Sequence, residues 1–392
     1  MNFYSRALEL REETVAHRRY FHQHAEVGMD LPQAVAYITE QLTALGIEAV
    51  PCGRGVAAQI GQGGKTILLR ADMDALPMQE ESGQSFACTT GAAHTCGHDF
   101  HAAMLLTAAK LLKEQEASLP GTVKLMFQPG EEVFQGSLEM LEHGILENPA
   151  VDAALAFHVS PGQFPVGIFM YNSTGTMMNS VDGFRITVTG KGAHGAYPQD
   201  SVDPIHIAVQ IYQALEGLMA REVNPQKVCT LTVGHFAAGT AANIIPDTAM
   251  LEGTIRTNDP EQRQLLVRRL HELSAGIAAA HGAKAEVTAL SQVAPLICDH
   301  DLTEEVVQDM MAMGIPGLTP YPGICAGASE DFANIAARVP SAFIYLSAGY
   351  TDERGTYPAH NPKAQFNEDV CPIGSACLAY CAWQWLERRK KG

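Results

Sequence analysis

The chain has 392 residues, beyond the roughly 250–300 at which a single core stops growing, so two domains are expected. Its 46% apolar and 18% charged residues exclude a largely disordered or fibrous protein. A net charge of −17 opposes phosphate backbones and anionic lipid, which sets nucleic acid and membrane surfaces aside as partners; the basic end at 388–391 reads as a solvated terminus.

The N-terminal residues are charged every few positions and lack the apolar segment of a secretory signal, and no run nears the ~18 apolar residues of a membrane span. The nine cysteines are scattered and odd in number, which suits reduced thiols. Both features point to the cytoplasm. The first 35 residues or so read as helix, followed by a helix over about 33–45 that Gly46 stops. Apolar runs at 56–60, 66–73, 122–127 and 153–158 predict strands, with an apolar helix over about 102–112. Strands alternating with helices imply an α/β layer with a mostly parallel sheet.

The texture changes near Asp182. Runs at 184–189, 228–234, 248–257 and 285–290, with helices over about 203–221 and 261–280, give a β-α-β-β-α-β order, read as an inserted domain. Helices over 301–313, 330–337 and 371–388 and a strand over 342–346 then return to the first fold. Cys377 and Cys381, one helical turn apart, are expected in its core. The expected division is therefore a catalytic domain at 1–181 and 296–392 interrupted by a second domain at 182–295.

The chemistry sits just past the expected strand ends, where open α/β sheets place their sites. Residues 94 to 101 read His-Thr-Cys-Gly-His-Asp-Phe-His, in which Cys96 and His98 alternate at a spacing that lets both reach one centre. The pair Glu131 and Glu132 follows the run 123–127 and can divide metal binding from proton transfer. Pro129 and Gly130 suggest a turn from which adjacent carboxylates diverge. His158 and His360 complete a set of sulfur, nitrogen and oxygen donors drawn from distant parts of the chain. Together these predict metal-assisted hydrolysis.

The motifs Arg70-Ala-Asp-Met-Asp-Ala-Leu-Pro77, His94-Thr-Cys-Gly-His-Asp99, Gln128-Pro-Gly-Glu-Glu132, Gly190-Lys-Gly-Ala-His194, Asn243-Ile-Ile-Pro-Asp247 and Ala328-Ser-Glu-Asp-Phe332, with His17 to His22, Glu26, His158, Gly253 to Arg256 and His360, resemble the M20 metallopeptidase family. Within it they are most similar to the N-acyl amino acid amidohydrolases, which include hippurate hydrolases, aminoacylases and auxin-conjugate hydrolases. The resemblance implies a zinc-peptidase-like α/β catalytic domain with an inserted ferredoxin-like lid that often forms a homodimer. It also implies two divalent metal ions, zinc first, with manganese, nickel and cobalt compatible. The family's ligands fall on Cys96, His98, Glu132, His158 and His360, and its general base on Glu131. Many members have His-x-Asp where this chain has Asp72-Met-Asp74, so one histidine ligand is absent and the division of ligands between two ions stays open.

Asp74 is the candidate to orient a ligating imidazole, and Asp72 could do likewise. His101, one helical turn past His98, either supports the ligands or packs, and is left out of the ligand set. Glycines around His194 let the backbone present it as a donor to the tetrahedral oxyanion. Asn243 and Arg256 suit the α-carboxylate of the substrate. The expected reaction is cleavage of an N-acyl amino acid, hippurate-like or N-acetyl, to a carboxylic acid and a free amino acid. A dipeptidase or N-acetyl-diaminopimelate deacetylase would share this machinery, and a non-catalytic binding protein is the reading from another class.

Overall fold

The computed structural model describes residues 2–390, so Lys391 of the basic end lies outside it. The chain divides into two compact units. The larger comprises the residues up to Met177, Ile297–Ile324 and those from Asp331 onward; the smaller comprises Met178–Leu296 and Cys325–Glu330.

The larger unit is built on an eight-stranded sheet. Its spatial order is Ala49–Cys52, Gly55–Gly61, Thr122–Gln128, Thr66–Asp72, Ala153–Pro165, Ser341–Gly349, Ile168–Tyr171 and Thr319–Pro322. From Thr122–Gln128 to Ser341–Gly349 the neighbours are parallel. Every residue of Thr66–Asp72 and Thr122–Gln128 is buried, which explains their near-continuous apolar runs: helices cover parallel strands and leave no wet face. Helix His98–Lys113 is buried on nearly all sides, and its Leu105 and Leu112 share one core with Leu69, Leu125, Ile344 and Leu378. Cys377 and Cys381 lie in that core as expected.

Several local expectations change. The N-terminal helix is two helices, Phe3–Glu9 and Arg11–Gln23, and the chain beyond them leaves the helical path. There Ala75 donates its N–H to Glu26 O at 2.8 Å, drawing this segment onto the end of a central strand. The Glu26 carboxylate accepts the Gln33 and Ala34 N–H groups and so caps helix Pro32–Ala44. The helix expected at 330–337 shrinks to Ala333–Ala336, because Asp331 is held by groups outside it. The four-residue strands Ala49–Cys52, Ile168–Tyr171 and Thr319–Pro322 had too short a pattern to read. The basic end is only partly solvated: Arg388 pairs with Asp309 at 2.7 Å and Arg389 with Glu305 at 2.9 Å.

The smaller unit is a four-stranded antiparallel sheet in the order Cys229–Ala238, Thr248–Thr257, Val181–Thr189, Lys284–Val293, with helices Pro204–Arg221 and Pro260–Ala280 packed on it. This is the ferredoxin-like β-α-β-β-α-β arrangement. Both helices begin alike: Asp203 and Asp259 each accept two backbone N–H groups, and a proline with its φ preset takes the first helical position. Segment Cys325–Glu330 belongs here through Asn179 N–H to Ala326 O at 3.2 Å and Arg256 to Ser329 Oγ at 2.5 Å.

Candidate metal centre and substrate-binding residues

In the larger unit the ends of parallel strands bring the donors together. Asp72 closes strand Thr66–Asp72, and Asp74 lies two residues on. Gln128 closes the next strand, after which Gly130 turns with a φ of 60° and places Glu131 and Glu132. Cys96 precedes helix His98–Lys113 across Gly97, whose φ is 96°; any side chain there would strike Val159 and Phe366. His158 projects from strand Ala153–Pro165. His360 also has a left-handed backbone, at φ 64°, pinned by its N–H to Thr95 O at 3.0 Å.

Cys96, His98 and His158 offer donor atoms within 4.8 Å of one another, and so do Cys96, Glu132 and His360, and His98, Glu131 and Glu132. Cys96 is therefore common to two triads. The hydrogen bonds decide which ring nitrogens are available. His158 Nδ1–H donates to Val159 O at 2.7 Å, which leaves Nε2 as a lone pair 3.5 Å from Cys96 Sγ. His98 Nδ1 donates to Asp74 Oδ1 at 3.2 Å, and its Nε2 is buried with no hydrogen-bond partner among the described residues. Asp74 also accepts the Glu132 N–H at 3.0 Å, so one carboxylate orients two candidate ligands. Both adjacent glutamates bring an oxygen to 4.0 Å from His98 Nε2, and they differ in their other contacts: Glu132 Oε1 lies 3.4 Å from His360 Nε2, while Glu131 Oε1 accepts the Asp331 N–H at 3.4 Å.

Burial disfavours charge throughout the cluster. It pushes the Cys96 thiol up and, helped by His101, holds His158 well below the usual imidazole range. Burial likewise opposes protonation of His98, yet the Asp72 carboxylate and Cys96 outweigh it and raise that imidazole well above its ordinary value. Among the described residues the buried atoms His98 Nε2 and Glu132 Oε1 have no hydrogen-bond partner, a lack that a bound cation would satisfy. Sulfur, imidazole and carboxylate donors with two such atoms fit divalent ions.

Asp72 and His101, candidates for support from the sequence, prove to be joined by residues to which the sequence assigned no part. His101 is not a ligand, because its Nε2 accepts the Val159 N–H at 2.8 Å and its Nδ1 donates to Asp72 Oδ1 at 2.5 Å. Asp72 in turn accepts from Arg70 at 2.7 Å, which ties it into the support behind the donors. Gln128, Ser137 and Asp331 complete a buried polar lattice behind the glutamates. One signal was legible in advance: an arginine at the end of the apolar run 67–69 of a buried strand.

The remaining candidates lie in the smaller unit. His194 and Asn243 meet at a two-stranded ribbon, Ala193–His194 with Ile244–Ile245, where Gly195 N–H donates to Asn243 O at 2.8 Å. His194 is exposed, and its Nδ1 accepts the Ala196 N–H at 3.0 Å, which leaves Nε2–H as an outward donor. Arg256, near the end of strand Thr248–Thr257, is half-buried, and among the described residues it has no carboxylate within ion-pair range. Burial lowers its pKa.

A sulfur, nitrogen and oxygen cluster beside a glutamate, at the carboxyl ends of parallel strands, defines a metallohydrolase. The model of Peptidase family M20/M25/M40 matches residues 68–384, and the chain belongs to that family. The chain is 37% identical over 387 residues to an N-acetyl-L-cysteine deacetylase of Bacillus subtilis, covering 97% of this chain and 90% of the relative. It is 34% identical to an IAA-amino acid hydrolase of Arabidopsis thaliana, covering 99% and 89%. Among solved structures, an aminohydrolase of methicillin-resistant Staphylococcus aureus superposes with a TM-score of 0.91 at 29% identity, covering 98% of this chain and 99% of the other. A dinuclear metal-binding M20 peptidase of Bacillus subtilis gives 0.80 at 30%, covering 97% and 99%. The protein is a metal-dependent hydrolase of the M20 amidohydrolase family.

Proposed function

We propose that this enzyme hydrolyses N-acyl amino acids to a carboxylic acid and a free amino acid. The observation that carries the reading is the pair of donor triads sharing Cys96, with Glu131 beside them. Cys96, His98, Glu132, His158 and His360 would hold two divalent ions, zinc first, with Cys96 releasing its thiol proton on binding. Such ions polarise the amide carbonyl and acidify water. Glu131 takes the proton of the attacking water and returns it to the leaving amine nitrogen, and Asp74 holds His98 in the tautomer that exposes Nε2. His194 Nε2–H donates to the tetrahedral oxyanion. Arg256 and Asn243 take the α-carboxylate, a role supported by the lack of any protein carboxylate at Arg256 among the described residues.

The family relatives that act on N-acetylcysteine and IAA-amino acids support the substrate class. Nine cysteines without a disulfide support a cytoplasmic site of action. A homodimer through the smaller unit is supported by the edge strand Cys229–Ala238 and by Ile205, Val209 and Tyr212, exposed along helix Pro204–Arg221.

The test is hydrolysis of a panel of N-acetyl, N-benzoyl and aminoacyl amino acids by metal-reconstituted protein, with and without chelator and beside Glu131→Gln. Chelator-sensitive release of free amino acid from an acyl class is the expected result. Turnover of aminoacyl substrates alone would make it a dipeptidase, and full metal occupancy without turnover of any substrate would overturn the reading. Sedimentation analysis would test the dimer.

A further inference from the structure

Arg70 sits in a central strand with its side chain 1% exposed, in surroundings where an ion costs several kcal/mol unless every donor is used. Its donors are distributed in three directions. Nη1 donates to Asp72 Oδ2 at 2.7 Å, Nε to Gln128 Oε1 at 2.9 Å, and Nη2 to Asp331 Oδ1 at 3.2 Å. Asp331, fully buried, also accepts from Gln128 Nε2 at 2.7 Å and from the Ser137 N–H at 3.1 Å. Its own backbone N–H then donates to Glu131 Oε1 at 3.4 Å. On the other side Asp72 accepts from His101, whose second nitrogen accepts the N–H of Val159, next to His158. One unbroken line of hydrogen bonds thus joins the glutamate that would move the proton to the strand that carries a ligand.

We infer that Arg70 and Asp331 are positioning residues of the reaction proposed above: the Arg70–Asp331 strut fixes where the Glu131 carboxylate stands relative to the ligand cluster. The inference rests on the general-base reading of Glu131. Neither residue touches substrate; Asp331 acts through its backbone N–H on Glu131, and Arg70 by holding Asp331 and Asp72 at once. A fork of fixed geometry is required for that bridge, and a lysine cannot span it.

The experiment uses the metal-reconstituted full chain and measures kcat and KM separately for Asp331→Asn and Arg70→Lys, together with metal per chain and melting temperature. The expected result is a kcat lower by roughly 10–100-fold, with unchanged metal per chain and KM within a factor of about two. In a Glu131→Asp background, where the carboxylate is already displaced, Asp331→Asn should cost less than about twofold, since two changes acting on one contact do not multiply. Losses that multiply in full would show a merely structural role and overturn the inference, as would a wild-type kcat in both variants. Should Asp331→Asn not fold, Arg70→Lys and Gln128→Met carry the same kcat test. A Glu131→Gln enzyme that retains activity would strike down the general-base reading itself; a dead Glu131→Gln enzyme beside fully active strut variants would strike down only the strut.

Discussion

The two units hold their functional residues in opposite ways. In the larger unit three of the five candidate ligands are fixed from behind: His98 by Asp74, His158 by Val159 O, Glu132 by the Asp74 carboxylate on its N–H. In the smaller unit His194 and Asn243 are exposed on a short ribbon, with the Tyr197 ring beside His194, and among the described residues Arg256 hydrogen-bonds a neutral partner, Ser329. The difference matches the demands on each. Ions need donors at set distances, which calls for buried, fully bonded supports. A substrate carboxylate needs donors still unspent when it arrives, which calls for exposure and few partners.

Breaking the rigid side should have the largest effect. His98→Ala is expected to lower bound metal and abolish turnover together, as read by elemental analysis beside an activity assay; activity at full metal content without His98 would remove it from the ligand set. Glu131→Gln should keep the metal and lower kcat by about 10²–10⁴-fold, the range of a lost general base. Metal lost in that variant would instead make Glu131 a ligand.

On the exposed side the losses should be smaller and appear in substrate binding. Arg256→Ala should lower kcat/KM for an N-acyl amino acid by roughly 10–100-fold, equivalent to about 1.5–3 kcal/mol for a charged hydrogen bond, and leave the corresponding amide lacking the carboxylate unaffected. Equal losses on both substrates would show that Arg256 supports the fold instead. Ser329→Ala should have the smallest effect, about two- to tenfold in kcat/KM, because it removes one neutral acceptor that holds the guanidinium in place. A kcat change without a KM change there would contradict a role in binding.

How much was legible follows the same division. Strands Thr66–Asp72, Thr122–Gln128 and Ala153–Pro165 were readable because buried parallel strands carry unbroken apolar runs. The helices after Asp203 and Asp259 were readable because an acidic cap followed by proline is a strong local start signal. The turn that presents Glu131 and Glu132 could be expected from the preceding proline and glycine. The end of the second helix at Gln23 and the short edge strands could not, since tertiary pairing of Glu26 with Ala75 and strands of four residues leave little trace in local pattern.

The sequence by itself determined the alternation of elements, the insertion of a second domain and the residue types of a hydrolytic metal centre. Each of these is written in periodicity, turn residues or short spacing. Only the tertiary structure decided that Cys96 stands in two triads, that His101 and Asp72 are spent on each other and on Arg70, and that Asp331 reaches Glu131 from 200 residues away. The physical reason is that hydrogen bonds are made by proximity in space and saturate one donor at a time. Which of several histidines and carboxylates remains free for a metal is therefore known only once every other partner in the fold has been placed.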